Sequence, residues 1–327
     1  MTVRWGIIAT GGIASRFVTD LALLPGAEVV AVGSRRQETA DEFARTHDVA
    51  RAFPSYEQLV EDDDVDAVYV ATPHPGHHHA AMLAIEAGKA VLLEKPFTMN
   101  AAEARSLVEA ARSRGVFLME AMWTRFLPHV VRLREVVASG ALGDVRTVLA
   151  EHGQWFAEDP SHRLFAPELG GGALLDLGVY PVSFASMVLG TPSRVTAASD
   201  PAFTGVDATT SVLLQHEGGA QAVVTCSLSA AGVNAASVVG TEARVVVDPV
   251  WYGPTTLSVV ARDGSVVETF DGRVEGSGYR LEAAEVGRCL AEGRLESDVM
   301  PLDETVAIMS TMDEVRRQID LSYPSPR

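Results

Sequence analysis

A lysine set between a glutamate and a proline, at the close of an apolar run, is the first place where this sequence could do chemistry. The run is Val91-Leu92-Leu93, and it continues into Glu94-Lys95-Pro96-Phe97. Rich in β-formers, it reads as a buried strand of a parallel sheet, and open parallel sheets bind their ligands beyond the carboxyl ends of the strands. Proline fixes its own φ and keeps the preceding residue out of the α region, so Lys95 is held extended at that crevice with its ammonium group offered to a bound molecule. A solvated lysine beside a turn proline would look the same in isolation, and the rest of the chain decides between the two. Further along, Gly170-Gly171-Gly172 precede Asp176 and Tyr180, which stand four apart and on a helix would share one face.

The elements that must position Lys95 begin at the start of the chain. Residues 3–9 read as a buried strand, followed by the turn Thr10-Gly11-Gly12-Ile13-Ala14 and a helical pattern to Leu24. Strand, glycine turn and helix make a phosphate site, because glycine admits the backbone to a pyrophosphate and the helix N-terminus offers unbonded N–H groups. The fingerprint is imperfect: Ala9 stands where the first glycine is usual, and Ala14 where the third is. A second strand, Glu28 to Gly33, ends in Ser34-Arg35-Arg36, with no acid before Glu38. An acid there would bond the ribose of NAD, whereas serine and arginine suit a 2'-phosphate, so the sequence favours NADP, with NAD still possible. Ala9, Thr10, Gly11, Gly12, Ile13, Ser34, Arg35 and Arg36 are the cofactor candidates.

Next come a helix over 37–46, the strand Ala67 to Ala71 and the loop Thr72-Pro73-His74-Pro75-Gly76-His77-His78-His79. His74, His77 and His78 could share a helical face, but no carboxylate or cysteine stands at ligand spacing, so a loop covering the cofactor is favoured over a metal site. Helices over 78–88 and 101–114 flank the Lys95 strand, and a strand over 116–120 follows. Strands alternating with helices indicate an α/β doubly wound Rossmann sheet. From about residue 145 the alternation stops. Eight strand patterns between Val145 and Phe270 indicate an α+β domain with a large, mostly antiparallel sheet, closed by helices over 278–293 and 303–318. The division expected is 1–122 for the dinucleotide domain and 123–327 for the substrate-binding and dimerisation domain.

The chain has 327 residues, 47% of them hydrophobic, enough to bury two cores. Its formal charge of -17 opposes nucleic acid and anionic membrane as partners. No apolar run approaches the roughly 20 residues of a membrane helix, and the N-terminus enters a strand pattern directly, so a cytoplasmic protein is expected. Cys226 and Cys289 are expected as free buried thiols.

Taken together, the turn Ala9 to Ala14, Thr72-Pro73 with His77, Glu94-Lys95-Pro96 and the glycine segment resemble the glucose-fructose oxidoreductase and inositol dehydrogenase family, Gfo/Idh/MocA, over nearly the whole length. Met119 to Phe126 and His162-Arg163-Leu164-Phe165 are similar to its dihydrodiol dehydrogenase branch, which also oxidises D-xylose with NADP. The resemblance implies that Thr72, Pro73, His77, Glu94 and Lys95 meet the cofactor and that Tyr180 exchanges the proton, although many members carry histidine there. It also implies a homodimer through the second sheet.

The activity expected is NADP-dependent hydride transfer between nicotinamide and the hydroxyl-bearing carbon of a sugar, polyol or vicinal diol. Tyr180 would take the hydroxyl proton, Lys95 would stabilise its phenolate, and Asp176 would orient the reacting hydroxyl or Lys95. Trp123, Phe156 and Arg163 would line the substrate pocket, and His162 is the next candidate for the proton. A nucleotide-sensing regulator without turnover and an NAD-using glycosidase of the same family are the competing readings. The first would have lost the lysine or the proton donor, and both are present.

Overall fold

A computed structural model describes residues 2–324. The chain divides into two compact units, one made of the residues up to Trp123 with Gly276–Val306, the other of Thr124–Glu275 with the residues from Ala307 on.

In the first unit the strands β1 (Val3–Ile8), β2 (Ala27–Gly33), β3 (Arg51–Phe53), β4 (Ala67–Val70), β5 (Ala90–Glu94) and β6 (Leu118–Ala121) alternate with helices. These are α1 (Gly12–Leu21), α2 (Gln37–His47), α3 (Tyr56–Val60), α4 (His77–Glu86) and α5 (Ala101–Arg114). All the strand pairs are parallel, in the order β3-β2-β1-β4-β5-β6. Helices on both faces explain why β4 and β5 are apolar without alternation: Tyr69 and Val70, and likewise Leu92 and Leu93, are fully buried although neighbours on a strand face opposite ways. Phe17 of α1 stacks on Tyr69 at 3.8 Å and takes the edge of Trp5 at 5.6 Å, filling the space under the first crossover.

The second unit begins with α6 (Pro128–Ala138) and β7 (Val145–Gly153), and its central helix is α7 (Val179–Leu189). The remaining strands are β8 (Arg194–Pro201), β9 (Asp207–Gln215), β10 (Gln221–Ser227), β11 (Ala236–Gly240), β12 (Ala243–Val247), β13 (Thr256–Ala261) and β14 (Val266–Asp271). They form one eight-stranded sheet in the order β14-β13-β12-β11-β7-β10-β9-β8. Only β7 and β10 pair in parallel. One face buries Val148, Ala150, Ala222 and Val224 under α7, while on the other Leu149 and Val223 remain 44% and 43% exposed.

Two expectations are corrected here. The segment 276–306 packs with the first unit and not with the second. The reason is Asp20, a buried carboxylate on α1 that accepts backbone N–H groups from Ser277 (2.7 Å), Gly278 (3.1 Å) and Arg280 (2.8 Å). It thereby fixes the start of α8 (Tyr279–Ala291) on α1, and α9 (Leu302–Gln318) follows. A buried acid with three backbone donors is costly to undo, and it holds residues some 260 positions apart in sequence. The second correction concerns length: Pro167–Leu189 makes a 23-residue, largely helical stretch with a turn at Gly170–Gly172, and with mean hydropathy 1.5 it meets the length and composition of a membrane span. It is 78% buried inside the unit, as the core helix of a globular fold is.

Candidate active site

In the first unit the turn after β1 is built for a phosphate group. Gly11 is the N-cap of α1 without a side-chain cap, the first turn of α1 carries no acid, and a Cβ placed on Gly11 or Gly12 would meet nothing within 4 Å. Open space above unbonded N–H groups is what a pyrophosphate needs. Ala9, in place of the first fingerprint glycine, has φ +78°, the left-handed region that glycine enters without steric cost. Arg35 and Arg36 lie exposed after β2, and neither is in an ion pair among the described residues. Ser34 is buried and shares a hydrogen bond with Thr39 (2.6 Å), so it shapes the strand end and leaves the arginines to face outward. Thr72 is buried with an Oγ1 that has no partner. A buried orphan hydroxyl, an uncapped glycine turn and two outward arginines fit a dinucleotide with a 2'-phosphate.

Lys95 stands at the end of β5 on a turn that three buried side chains hold. Glu94 Oε2 accepts the Lys95 N–H (3.1 Å), Glu120 Oε1 accepts the Phe97 N–H (3.2 Å), and the His77 ring bridges the carbonyls of Pro96 and Thr72, both at 2.9 Å. Burial, with the neighbouring His74, holds the His77 ring down to about 3, so at neutral pH it carries one N–H and donates to one of the two carbonyls. His77 and Glu94 therefore act from beneath, tying the Thr72-Pro73 loop and the Lys95 turn together. The three histidines diverge: His74 meets the His77 ring edge-on at 5.7 Å, while His78 turns toward Ser106 (3.3 Å). Tyr69 donates to Glu94 Oε1, a partner that no spacing in the sequence pointed to. Trp123 is buried, with its ring on Tyr279 at 4.6 Å.

In the second unit Asp176 lies on a π turn, Leu174–Gly178, that leads into α7. Such turns insert one extra residue per hydrogen-bonded ring and recur at functional sites. Arg163 forks onto Asp176 with Nη1 to Oδ1 at 3.1 Å and Nη2 to Oδ2 at 3.2 Å, which brings together two of the residues expected from the sequence. The Asp176 side chain is 7% exposed and that of Arg163 51%, so the pair runs from interior to surface. Tyr180, at 7% exposure, packs its ring edge-on against His152 at 5.0 Å and at 5.7 Å from Tyr252. His152 and Tyr252 stack at 3.7 Å, and Gln154 reaches His152 Nε2 at 2.8 Å. Burial raises the Tyr252 phenol above its usual range. Phe156 packs on the cluster of Leu164, Phe165, Leu177 and Leu228, whereas Trp155 is 65% exposed. His162 lies 5.8 Å from Phe156, ring to ring.

Known proteins extend this description. Residues 3–122 match the model of an oxidoreductase family with an NAD-binding Rossmann fold, and residues 130–246 match the GFO/IDH/MocA C-terminal domain. The chain belongs to the GFO/IDH/MocA family of oxidoreductases. It is 44% identical to the trans-1,2-dihydrobenzene-1,2-diol dehydrogenase of Bos taurus, over 100% of both chains, and 43% identical to that of Homo sapiens over the same share. Among solved structures it is similar to a 3-ketoreductase from Actinomadura kijaniata held with NADP and TDP-benzene, with TM-score 0.85, 28% identity and 98% of each chain covered. An aldose-aldose oxidoreductase from Caulobacter crescentus shares the fold at TM-score 0.88 and 24% identity, again over 98% of each chain.

The left-handed Ala9 yields a test. Ala9→Gly removes a Cβ from a region that costs an L-residue roughly 1–2 kcal/mol, part of which the greater freedom of glycine in the unfolded chain offsets. The variant is expected to be about 0.5–1 kcal/mol more stable in a urea titration, with a higher midpoint, and a lower midpoint would contradict the conformation.

Proposed function

We propose that the protein is an NADP-dependent dehydrogenase of vicinal diols and of the hydroxyl carbons of sugars and polyols. The observation that carries this reading is Tyr180, a phenol set among His152 and Tyr252 on the helix that also holds the Asp176–Arg163 pair, in a chain that aligns from end to end with diol dehydrogenases. NADP supplies the hydride acceptor. Gly11, Gly12 and the start of α1 hold its pyrophosphate, with Ala9, Thr10 and Ile13 shaping the turn. Arg35 and Arg36 would pair with the 2'-phosphate, and Thr72 and Pro73 would meet the cofactor.

The substrate loses a hydride from carbon and a proton from its hydroxyl, and a carbonyl forms. Tyr180 takes that proton as the general base. A cation stabilises phenolate over phenol, and Lys95 is the group assigned to supply it. Asp176, its charge balanced by Arg163, orients the hydroxyl, while Trp123 and Phe156 give apolar walls. His77 and Glu94 keep the Lys95 turn in place and act through it. The first unit is the dinucleotide-binding domain, and the second binds substrate.

The open face of the second sheet is assigned to a homodimer. Leu149 and Val223 are paired neighbours in register there, and Leu213 continues their row on β9. Such an apolar row on an uncovered sheet face suits a second copy of the chain. Both cysteines are free and buried, which suits a reducing cytoplasm.

Three measurements test the reading. A panel of trans-dihydrodiols, aldoses and polyols, run with NADP and with NAD, is expected to give reduced nicotinamide with NADP at the lower KM. Replacing Arg35 and Arg36 with alanine should raise KM for NADP by about 10- to 100-fold and leave NAD almost unchanged, since one charge-assisted contact is worth roughly 1.5–3 kcal/mol. Equal effects on the two cofactors would remove the 2'-phosphate assignment. Sedimentation at micromolar concentration should give a dimer, and Val223→Glu a monomer; a parent that sediments as monomer would end the dimer assignment.

A further inference from the structure

The helix that carries Asp176 and Tyr180 starts from three glycines, and the turn they make is clasped by side chains that touch neither residue. Gly171 N–H donates to Ala166 O (3.0 Å) and Gly172 N–H to Leu164 O (2.8 Å). A Cβ at position 171 would lie 2.7 Å from Leu164 O and 2.9 Å from Arg163 O, so only glycine lets the 163–166 segment come this close. That approach is what lays Arg163 over the start of the helix, within reach of Asp176. At Gly172 φ is +114°, and a Cβ there would stand 2.1 Å from Asp207 Oδ1.

Asp207, at the start of β9, fills the space left by that glycine. Its Oδ2 accepts the Leu174 N–H (2.7 Å), the first residue of the π turn, and the Thr210 hydroxyl (2.7 Å). The carboxyl group is 2% exposed, and Oδ1 has no hydrogen-bond partner. From the other side Tyr323, in the segment after α9, donates its hydroxyl to Gly171 O (2.7 Å), and Arg316 of α9 lies over its ring at 5.4 Å.

We propose that Asp207 and Tyr323 are positioning residues for the reaction, a clasp that holds the Gly170–Gly172 turn in the one conformation that presents Tyr180 together with the Asp176–Arg163 pair. This rests on the assignment of Tyr180 and Asp176 to the chemistry.

The clasp also responds to pH. Burial raises the Asp207 carboxyl to about 7, against the opposing hydrogen bonds from Thr210 and Leu174. The groups facing it are Cys226 from β10 and Tyr323, with Arg316 behind the phenol. Cys226 and Tyr323 are both pushed upward, chiefly by burial, so near neutrality Asp207 is the member of the clasp that titrates. Ionised, it binds the Leu174 N–H through a charge-assisted bond; protonated, it binds more weakly. Stability runs the other way. With its folded pKa above the unfolded one, the folded chain holds the proton more tightly, so stability falls as pH rises from about 4 to about 7. The fall in stability is what any buried acid of raised pKa gives; a rise in kcat over the same pH range is the signature that a merely structural acid would not give.

The test compares Asp207→Asn, Tyr323→Phe and Tyr180→Phe with the parent enzyme. Asp207→Asn keeps an acceptor for Leu174 and loses the charge. It is expected to lower kcat by about 10-fold, leave the KM for NADP unchanged, and abolish the rise in kcat through about pH 7. Its thermal midpoint should rise relative to the parent between pH 5 and 8. Tyr323→Phe should lower kcat several-fold and retain the pH limb, and in both variants the amides of residues 170–178 should exchange faster with deuterium. If Asp207→Asn does not fold, Tyr323→Phe decides by the same exchange and kcat readouts. Should Tyr180→Phe lose turnover while both clasp variants keep parental kcat and exchange, the clasp alone is overturned. Should Tyr180→Phe keep its turnover, the chemical assignment fails and takes the positioning role with it.

Discussion

In an open parallel sheet the strand order reverses once, and the first unit depends on where it does so. Here the reversal falls between β1 and β4, because the chain builds outward through β2 and β3, then returns to the other side of β1. The crossovers above the two central strands diverge at that point and leave a crevice at their carboxyl ends. Ala9, Gly11 and Gly12 follow β1 and Thr72 follows β4, so the reversal by itself puts the phosphate turn and the histidine-bearing loop at one end of the sheet. Lys95 follows the next strand. Buried hydrogen bonds from His77, Glu94 and Glu120 then convert that general location into a defined turn.

The second unit solves a different problem, which is to hold a phenol and a carboxylate at fixed spacing on a helix that is otherwise apolar. Three glycines let the chain fold back against residues 163–166, and the π turn carries the polypeptide from that fold into α7. The result is Asp176 paired with Arg163, and Tyr180 boxed by the rings of His152 and Tyr252. Burial of Pro167–Leu189 in the core gives this arrangement its rigidity: a helix covered on most sides loses rotamer freedom at every position. Rigid support of this kind suits the proton transfer proposed for Tyr180, because misplacement by about 1 Å can cost on the order of 10² in rate.

Much of this was legible in the sequence, for local reasons. The strands of the first unit announce themselves as unbroken apolar runs, and the strands from Val145 onward as alternation between turns, because one face of that sheet is buried and the other is not. The Lys95-Pro96 sequence carries its own conformational message. What could not be read is held by contacts without spacing. Asp20 binds backbone about 260 residues away, and so returns 276–306 to the first unit. Tyr252 reaches His152 across a gap of 100 residues, and Asp207 meets the glycine turn only because β9 passes beneath it. His152-Gly153-Gln154 carry a signal of their own, as polar residues at the end of an apolar strand. The continuity of the apolar helix after the glycine turn was masked by Pro181, which looks like an interruption in a sequence. His77 looked like a ligand-facing residue for a similar reason: its type is visible, but its inward orientation is not.

The central claim of the proposal is that Lys95 and Tyr180 serve one proton transfer. The most direct measurement is a double-mutant cycle on kcat with Lys95→Met and Tyr180→Phe, using a substrate deuterated at the oxidised carbon to confirm that chemistry limits the rate. Groups that serve one proton transfer are not additive. Each single variant is expected to lose roughly 10²- to 10⁴-fold, and the double variant little more than the worse single one. Losses that multiply, with each variant slowed independently of the other, would contradict a shared role for the lysine and the tyrosine.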